Sequence, residues 1–246
     1  GLFIDERLEP EDRALLERVG EVAADHAANA FLVGGPVRDL LVGRAAPDLD
    51  IAIEGAVGDV TEALATRLEA TIRKTTDFMT ATLMLEDGLE LDIARTRTEN
   101  SPKPGCLPVV EPATLREDLD RRDFSVNAMA MDLAPASFGE LIDPLGGRED
   151  LERSQLRVLH ERSFVDDPTR MFRAVRFMLR LDFALEVGTR ALLARAVEER
   201  RAAELSGARL RNELEVIFRE APARGLAALG ELRLFEAMGL APVPEQ

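Results

Sequence analysis

The segments LVGGPVRD (residues 32–39) and DLDIA (residues 48–52) decide the fold of this chain. An apolar run that ends in two glycines predicts a strand leading into a tight turn. Pro36 is favoured in the first turn of the helix that follows. From Asp48 to Ile53 polar and apolar residues alternate, which predicts another strand. The sequence therefore predicts a strand, a glycine turn, a short helix and a second strand.

The glycine turn has the composition of a phosphate-binding element. Backbone N–H groups at a turn that opens a helix can bind phosphate, and glycine lets a ligand approach the backbone closely. Arg38 lies one helical turn after Gly34 and Gly35 and is expected to face back toward them. Taken alone, the glycine pair also fits an ordinary tight turn.

Three aspartates are candidate metal ligands. Asp48 and Asp50 are two residues apart on a predicted strand, so their side chains point to the same face. Their charges repel unless a cation compensates them, and Mg²⁺ prefers carboxylate oxygens and substrate phosphates. Asp92 lies between Leu91 and Ile93 on a later predicted strand, so its side chain points to the opposite face from these apolar neighbours. Three such carboxylates can hold two Mg²⁺ ions for phosphoryl transfer; exposed strand positions are the alternative.

The remaining pattern predicts an α+β region followed by helices. Strand signals become rare after Gly147, and helical periodicity dominates from Asp166, with breaks near Ser206 and Ala221. We therefore expect one domain over residues 1–147 and a helical domain over residues 148–246. Within the first, we predict helices over 11–28 and 57–70, a hairpin from strands 80–85 and 89–94, and a proline-rich loop over 99–113.

The composition limits the classes of protein. The chain of 246 residues has a net charge of −15 and one cysteine, Cys106, which excludes an internal disulfide framework. No apolar stretch reaches the roughly 18 residues that span a bilayer, and residues 1–10 lack the apolar core of a signal peptide. A cytoplasmic protein without membrane contact is expected. Arginines cluster at 116–122 and 157–180, which leaves room for local RNA binding.

A charged series marks the start of the helical region. Asp167, Arg170, Arg173 and Arg176 recur every three residues, which predicts one helix with these side chains along one face. Phe172 and other apolar residues lie between them, so the charged face borders a packed one. A solvated, salt-bridged face is the alternative explanation.

Four motifs together resemble class II tRNA nucleotidyltransferases of the DNA polymerase β superfamily. They lie in the family's order between residues 31 and 180. The resemblance implies a polymerase-β-like head with a mixed sheet over 1–147, followed by an all-α neck and the start of a body over 148–246. The motifs are residues 32–52, RRDFSVNAMA (121–130), IDPLGG (142–147) and DDPTRMFRAVRF (166–177).

The resemblance implies a role for each motif residue. Asp48 and Asp50 become the catalytic metal-binding pair, and Asp92 the third carboxylate, which helps activate the tRNA 3′ hydroxyl. Asp167 and Arg170 select the base, and Arg173 and Arg176 hold phosphates or the geometry of that pair. The residues implied in nucleotide binding are Gly34, Gly35, Arg38, Arg122, Asp123, Asn127, Asp167, Arg170, Arg173 and Arg176.

The implied reaction is template-independent transfer of CMP and AMP from CTP and ATP to the 3′ end of tRNA, using two Mg²⁺ ions and no obligate protein partner. Family members add CCA, only CC, or only A, and bacterial poly(A) polymerases form another branch. The loop from Glu99 to Pro108 lacks the arginine pair of many full CCA enzymes, so partial addition stays open. A nucleotide-binding domain without catalysis is the alternative from another class.

Overall fold

The computed structural model describes residues 1–44, 49–75, 80–100 and 109–240, without the side chains of residues 74, 75 and 100. The chain divides into two compact units. Unit 1 comprises Gly1–Thr98, Val110–Arg122 and Val126–Arg148, and unit 2 comprises Glu99–Val109, Asp123–Ser125 and Glu149–Gln246. The sequence predicted a catalytic head over residues 1–147 and a helical neck over residues 148–246. These two functional domains stay a prediction.

Helices and strands alternate in the first half of the chain, and helices dominate the second. The helices are α1 (Pro10–Asp25), α2 (Gly35–Leu41), α3 (Val57–Arg67), α4 (Leu115–Asp120), α5 (Gly147–Glu152), α6 (Ser163–Asp166), α7 (Thr169–Leu181), α8 (Val187–Glu198), α9 (Gly207–Glu220), α10 (Pro222–Glu231) and α11 (Leu234–Ala237). The strands are β1 (Asn29–Val33), β2 (Leu49–Glu54), β3 (Thr71–Thr75), β4 (Thr80–Met84), β5 (Glu90–Arg95), β6 (Arg97–Asn100), β7 (Val109–Pro112), β8 (Ala130–Asp132), β9 (Leu141–Ile142), β10 (Gln155–Leu156) and β11 (Ala184–Leu185).

Unit 1 is built on one mixed sheet. Its seven strands have the order β3-β4-β5-β2-β1-β8-β9. β2 and β5 are parallel, whereas β4 and β5, β1 and β2, and β1 and β8 are antiparallel. The mixed sheet and the helices that follow confirm the α+β class expected from the sequence. The predicted hairpin is confirmed as β4 and β5.

The alternation along β2 explains why polar residues gather on one part of the sheet. Leu49, Ile51 and Ile53 are fully buried on one face. Ala52 lies on the other face, and there it packs with Leu115 and Leu119 of α4. Asp50 shares that face with Ala52, because their side chains are two residues apart. α4 is therefore anchored beside the carboxylate of Asp50.

The proline-rich loop prediction is wrong at both of its ends. Arg97–Asn100 and Val109–Pro112 are strands β6 and β7. The β-branched pair Val109 and Val110 favours a strand. Pro112 is tolerated because β7 belongs to a two-stranded sheet and is therefore an edge strand. The intervening residues 101–108 lie outside the described part of the chain.

In unit 2 one predicted feature needs correction. Arg170, Arg173 and Arg176 lie on α7, but Asp167 precedes that helix, with φ −137° and ψ 95°. Pro168 explains this, because the residue before a proline is disfavoured in the helical region. The predicted breaks near Ser206 and Ala221 are confirmed, since α9 begins after Ser206 and ends at Glu220. None of the described helices is long and apolar enough to cross a membrane.

Candidate functional site

Two of the three predicted carboxylates lie side by side in unit 1. Asp50 of β2 and Asp92 of β5 are register partners in the parallel pair, so their side chains leave the same face of neighbouring strands about 5 Å apart. Asp50 is half-buried and Asp92 is exposed. Both line a cleft of about 360 Å³. The Thr82 hydroxyl donates a hydrogen bond of 2.6 Å to Oδ1 of Asp92.

Asp48, the third predicted carboxylate, lies outside the described residues. Within the described ranges the structure contains no group of three or more His, Cys, Asp or Glu side chains arranged to hold a metal ion. Asp50 and Asp92 nevertheless fit a hard divalent cation, because both offer carboxylate oxygens from adjacent strands into one open cleft. The three-carboxylate site stays a prediction.

A buried aspartate binds two arginines that line the same cleft. Asp118, on α4, is 2% exposed. Its Oδ1 accepts hydrogen bonds from the Arg97 N–H at 3.2 Å and from Nη2 of Arg121 at 2.7 Å, and its Oδ2 accepts one from Nη2 of Arg122 at 3.1 Å. Asp118, Arg121 and Arg122 all line the cleft. The carboxylate thus fixes two guanidinium groups in the cleft that Asp50 and Asp92 also line.

The electrostatic balance at Asp118 favours the ionised carboxylate. Burial alone raises the pKa of this group, but the charges of Arg122 and Arg121, with hydrogen bonds from the Arg121 side chain and the Arg97 N–H, outweigh burial, so the pKa lies below its ordinary value. Sequence reasoning missed Asp118. The available signal was its spacing, because residues three and four positions later on a helix return to the same side.

Three predicted nucleotide-binding residues, Arg38, Arg122 and Asn127, form one cluster in unit 1. Nη1 of Arg122 donates to the Asn127 carbonyl oxygen at 3.3 Å, and Nη1 of Arg38 donates to Oδ1 of Asn127 at 2.6 Å. Arg38 is 2% exposed and also donates to Asp39. Its interactions are therefore internal, and they fix the Asn127 side chain. Nε of Arg122 is buried without a hydrogen-bond partner in the described part of the chain.

Gly34 makes this cluster possible. Its φ of 75° is a conformation that L side chains rarely adopt, and a Cβ there would lie 2.6 Å from Nη1 of Arg122. Its N–H donates to the Met129 carbonyl oxygen at 3.0 Å, so this N–H is not offered to a phosphate. Gly35 begins α2. Gly34 acts by leaving room for Arg122.

We expect Gly34→Ala to lower the free energy of unfolding by about 2 kcal/mol, from backbone strain and the displacement of Arg122. Gly43→Ala is the matched control, because Gly43 has φ 70° but no atom lies within 4 Å of its Cβ position. Urea unfolding of both variants measures the difference. Equal losses would show that the contact with Arg122 does not matter.

Unit 2 holds the remaining predicted residues around α7. The Asp123 carboxylate accepts hydrogen bonds from Nε of Arg173 at 2.8 Å and from Nη2 at 2.6 Å. Burial lowers the pKa of Arg173, but Asp123 more than offsets this and raises it. Arg176 forms an ion pair of 3.7 Å with Glu213 of α9. Both arginines lie about 5 Å from the Phe177 ring centre, at 5.4 and 5.1 Å.

Asp167 and Arg170 each have a defined hydrogen-bond partner in unit 2. Oδ1 of Asp167 accepts from the Thr169 hydroxyl at 2.8 Å and from Nη2 of Arg209 at 2.9 Å. Nη1 of Arg170 donates to the Ser163 hydroxyl at 2.6 Å. Burial lowers the pKa of Arg170, and the charge of Asp167 opposes that shift. Ser163 and Arg209 were not predicted from the sequence.

Known proteins resemble the chain over most of its length. The A-adding tRNA nucleotidyltransferase of Halalkalibacterium halodurans is 40% identical over 227 residues, covering 91% of this chain and 53% of the relative. The CC-adding tRNA nucleotidyltransferase of Deinococcus radiodurans is 44% identical over 176 residues, covering 72% and 47%. The solved Thermotoga maritima CCA-adding enzyme complexed with tRNA has a TM-score of 0.83 and 39% identity, covering 95% and 54%.

The chain thus spans about half the length of these curated relatives. The likeness to them confirms the polymerase-β-like head and the resemblance to tRNA nucleotidyltransferases that the motifs indicated. Residues 30–157, slightly more than half of the chain, match the family described as "Poly A polymerase head domain". This chain is a member of the Poly A polymerase head domain family.

Proposed function

We propose that this chain carries the catalytic part of an enzyme that transfers CMP or AMP from CTP or ATP to the 3′ end of tRNA without a nucleic-acid template. The observation that carries the proposal is the cleft of unit 1. Asp50 and Asp92 line it together, and so do Arg121 and Arg122, which Asp118 fixes in place. Carboxylates and arginines in one cleft suit an incoming triphosphate with its counter-ions.

In the proposed reaction, Asp92 helps activate the tRNA 3′ hydroxyl, which gives up its proton to solvent water. Its oxygen bonds to the α-phosphorus while the bond from that phosphorus to the leaving pyrophosphate breaks. Asp48, Asp50 and Asp92 are proposed to hold two Mg²⁺ ions. When bound, such ions lower the pKa of the attacking hydroxyl and neutralise charge on the pyrophosphate. The carboxylates hold the reacting groups in place, and no covalent enzyme intermediate is needed.

We assign the triphosphate and sugar to the cluster around Arg122. Arg122 supplies charge, and its buried Nε without a partner among the described residues is a costly feature of the kind found at functional sites. Asn127 is proposed to contact the nucleotide, and Arg38 acts by holding its side chain. Gly34 and Gly35 open α2 and leave room for this arrangement. Residues 1–147 are the proposed catalytic head.

We assign base selection to the proposed neck, residues 148–246. Arg170 can donate to O2 and N3 of cytosine or to N1 of adenine, and Asp167 can accept from the exocyclic amine of either base. Uracil and guanine present the wrong donors and acceptors. Arg209 and Thr169 both donate to Oδ1 of Asp167, which leaves Oδ2 for the amine. Asp123, Arg173 and Arg176 are proposed to maintain the geometry of this pair.

Replacing Arg170 by alanine should relax base choice. We expect the preference for CTP and ATP over UTP and GTP to fall about 10- to 100-fold, which is the discrimination of one good paired contact. Arg180→Ala is the control, because Arg180 is exposed on the same helix. Competition between labelled nucleotides measures the ratio. An unchanged ratio in the Arg170 variant would remove this residue from base selection.

Addition of A alone is the second candidate, favoured by the A-adding relative that matches 91% of the chain. The segment expected to govern the change from C to A, Glu99 to Pro108, is outside the described residues from position 101. Three tRNA primers that end at the discriminator base, at C or at CC separate the possibilities. Extension of only the CC primer, with ATP, identifies A addition. Repeated A addition identifies a poly(A) polymerase.

The cytoplasmic location stays a prediction.

A further inference from the structure

Thr82, Asp92 and Asp50 form a row across three adjacent strands of unit 1. Thr82 is the register partner of Asp92 in the antiparallel pair of β4 and β5, and Asp92 is the partner of Asp50 in the parallel pair of β5 and β2. Directly opposed side chains share a face of the sheet. All three line the cleft. Thr82 is thus the immediate neighbour of the Asp92 carboxylate.

The contact between Thr82 and Asp92 is short and directional. The hydroxyl donates to Oδ1 of Asp92 at 2.6 Å, within the range of strong O–H···O⁻ hydrogen bonds. Asp92 is exposed on its strand, so packing does little to limit its rotamers. Thr82 is stiff at χ1 because it is β-branched. A stiff donor on the neighbouring strand therefore restricts the carboxylate more than packing does.

The type of donor matters for a site that binds a cation. A threonine hydroxyl is neutral, so it orients the carboxylate without cancelling its charge. An arginine in the same place would compete with the cation for that charge. The hydroxyl donates one hydrogen to Oδ1, which leaves Oδ2 and the second lone pair of Oδ1 as acceptors. Partners of this kind tune metal ligands in many proteins.

We propose that Thr82 is a positioning residue for the metal site: its hydroxyl holds the Asp92 carboxylate in the orientation in which it and Asp50 bind a divalent cation. This inference rests on the proposed function, which assigns Asp50 and Asp92 to that cation. Loss of an outer partner of a metal ligand typically weakens metal binding 10- to 100-fold. We expect about 10-fold here, because Asp92 itself remains.

The test measures cation affinity directly, with Mn²⁺ as the probe and electron paramagnetic resonance on the full-length protein. Thr82→Val keeps the shape of the side chain and removes the donor, and it should weaken the site about 10-fold. Thr82→Ser keeps the donor and should restore the affinity. Thr71→Val, at an exposed position on β3, is the matched control. Because the chain has a net charge of −15, Mn²⁺ is also expected to bind elsewhere on its surface. Binding at the site is therefore taken as the difference in bound Mn²⁺ between the wild type and Asp92→Asn.

The outcomes separate the inference from the proposed function. Weaker binding in Thr82→Val and rescue in Thr82→Ser support the inference, and raising the Mg²⁺ concentration should then restore transfer by Thr82→Val. Wild-type affinity in Thr82→Val, with loss in Asp92→Asn, overturns the inference alone. No loss in Asp92→Asn overturns the metal assignment and the inference together. Equal weakening in Thr82→Val and Thr82→Ser shows that packing, not the hydroxyl, is responsible and also overturns the inference.

Discussion

Asp50→Asn should lower the rate of nucleotide transfer about 10³-fold or more. Metal ions at such sites supply several kcal/mol of transition-state stabilisation, and about 4 kcal/mol corresponds to a factor of 10³. Asparagine keeps the size of the side chain, but it removes the negative charge and leaves only one neutral oxygen as a ligand. The effect should fall on kcat, because the nucleotide contacts proposed for the arginines of the cleft remain. Single-turnover extension of tRNA measures it.

The control for Asp50 is a carboxylate that the cleft does not use. Glu86→Gln, in the exposed turn between β4 and β5, removes one negative charge from the same part of the sheet. It should leave the rate unchanged, since an exposed charge outside the cleft is screened by salt. Asp92→Asn should resemble Asp50→Asn. Full activity of the Asp50 variant would show that the metal ligands lie elsewhere.

Asp118→Asn should lower the free energy of unfolding by about 3 kcal/mol at neutral pH. Removing one partner of a buried ion pair leaves uncompensated charge, which costs about 3–5 kcal/mol. The lower figure applies because Arg121 and Arg122 are 23% and 19% exposed, so water can hydrate them in part. Asparagine also turns an amide N–H₂ toward guanidinium donors that need acceptors.

The loss should depend on pH in a defined direction. The pKa of Asp118 is lowered in the folded protein, so its contribution is present above the unfolded-state pKa and is lost as pH falls through the folded one. The difference between wild type and Asp118→Asn should therefore be constant near neutral pH and shrink below about pH 4. Urea unfolding at several pH values measures it.

Asp120→Asn is the matched control for Asp118. Asp120 lies on the same helix and pairs with Arg116, but both side chains are about half exposed, at 45% and 56%. An exposed pair contributes at most about 1 kcal/mol. A loss in Asp118→Asn no larger than in this control would contradict the role given to the buried carboxylate. A variant that loses stability but keeps full nucleotide affinity would limit Asp118 to a structural role.

Local patterns predicted the elements that carry the site. Alternation placed Asp50 and Asp92 on strands with apolar neighbours facing the core, and the structure has both on strands in register. The glycine pair before Pro36 predicted the turn and the start of α2. These features depend on a few consecutive residues, so the sequence carries them directly. The family motifs then joined them into one fold.

Features that depend on packing between distant segments could not be predicted. Thr82 and Asp92 are partners only because β4 and β5 pair in one register, and Arg209 meets Asp167 only because α9 lies near the start of α7. The burial of Asp118 depends on how α4 packs against the sheet, which local sequence does not show. The prolines between residues 99 and 113 predicted a loop, although Val109–Pro112 forms a strand. β3 was not predicted, because Ile72 is its one apolar residue and it lies at the edge of the sheet.

The central claim is tested most directly by the reaction itself. The full-length protein is incubated with Mg²⁺, each of the four labelled nucleoside triphosphates and tRNA ending at the discriminator base, at C or at CC. We predict 3′ extension of at least one primer with CTP or ATP, no comparable extension with UTP or GTP, and complete loss of extension in the presence of EDTA. Absence of extension on all three primers, or equal use of all four nucleotides, would contradict the proposed function.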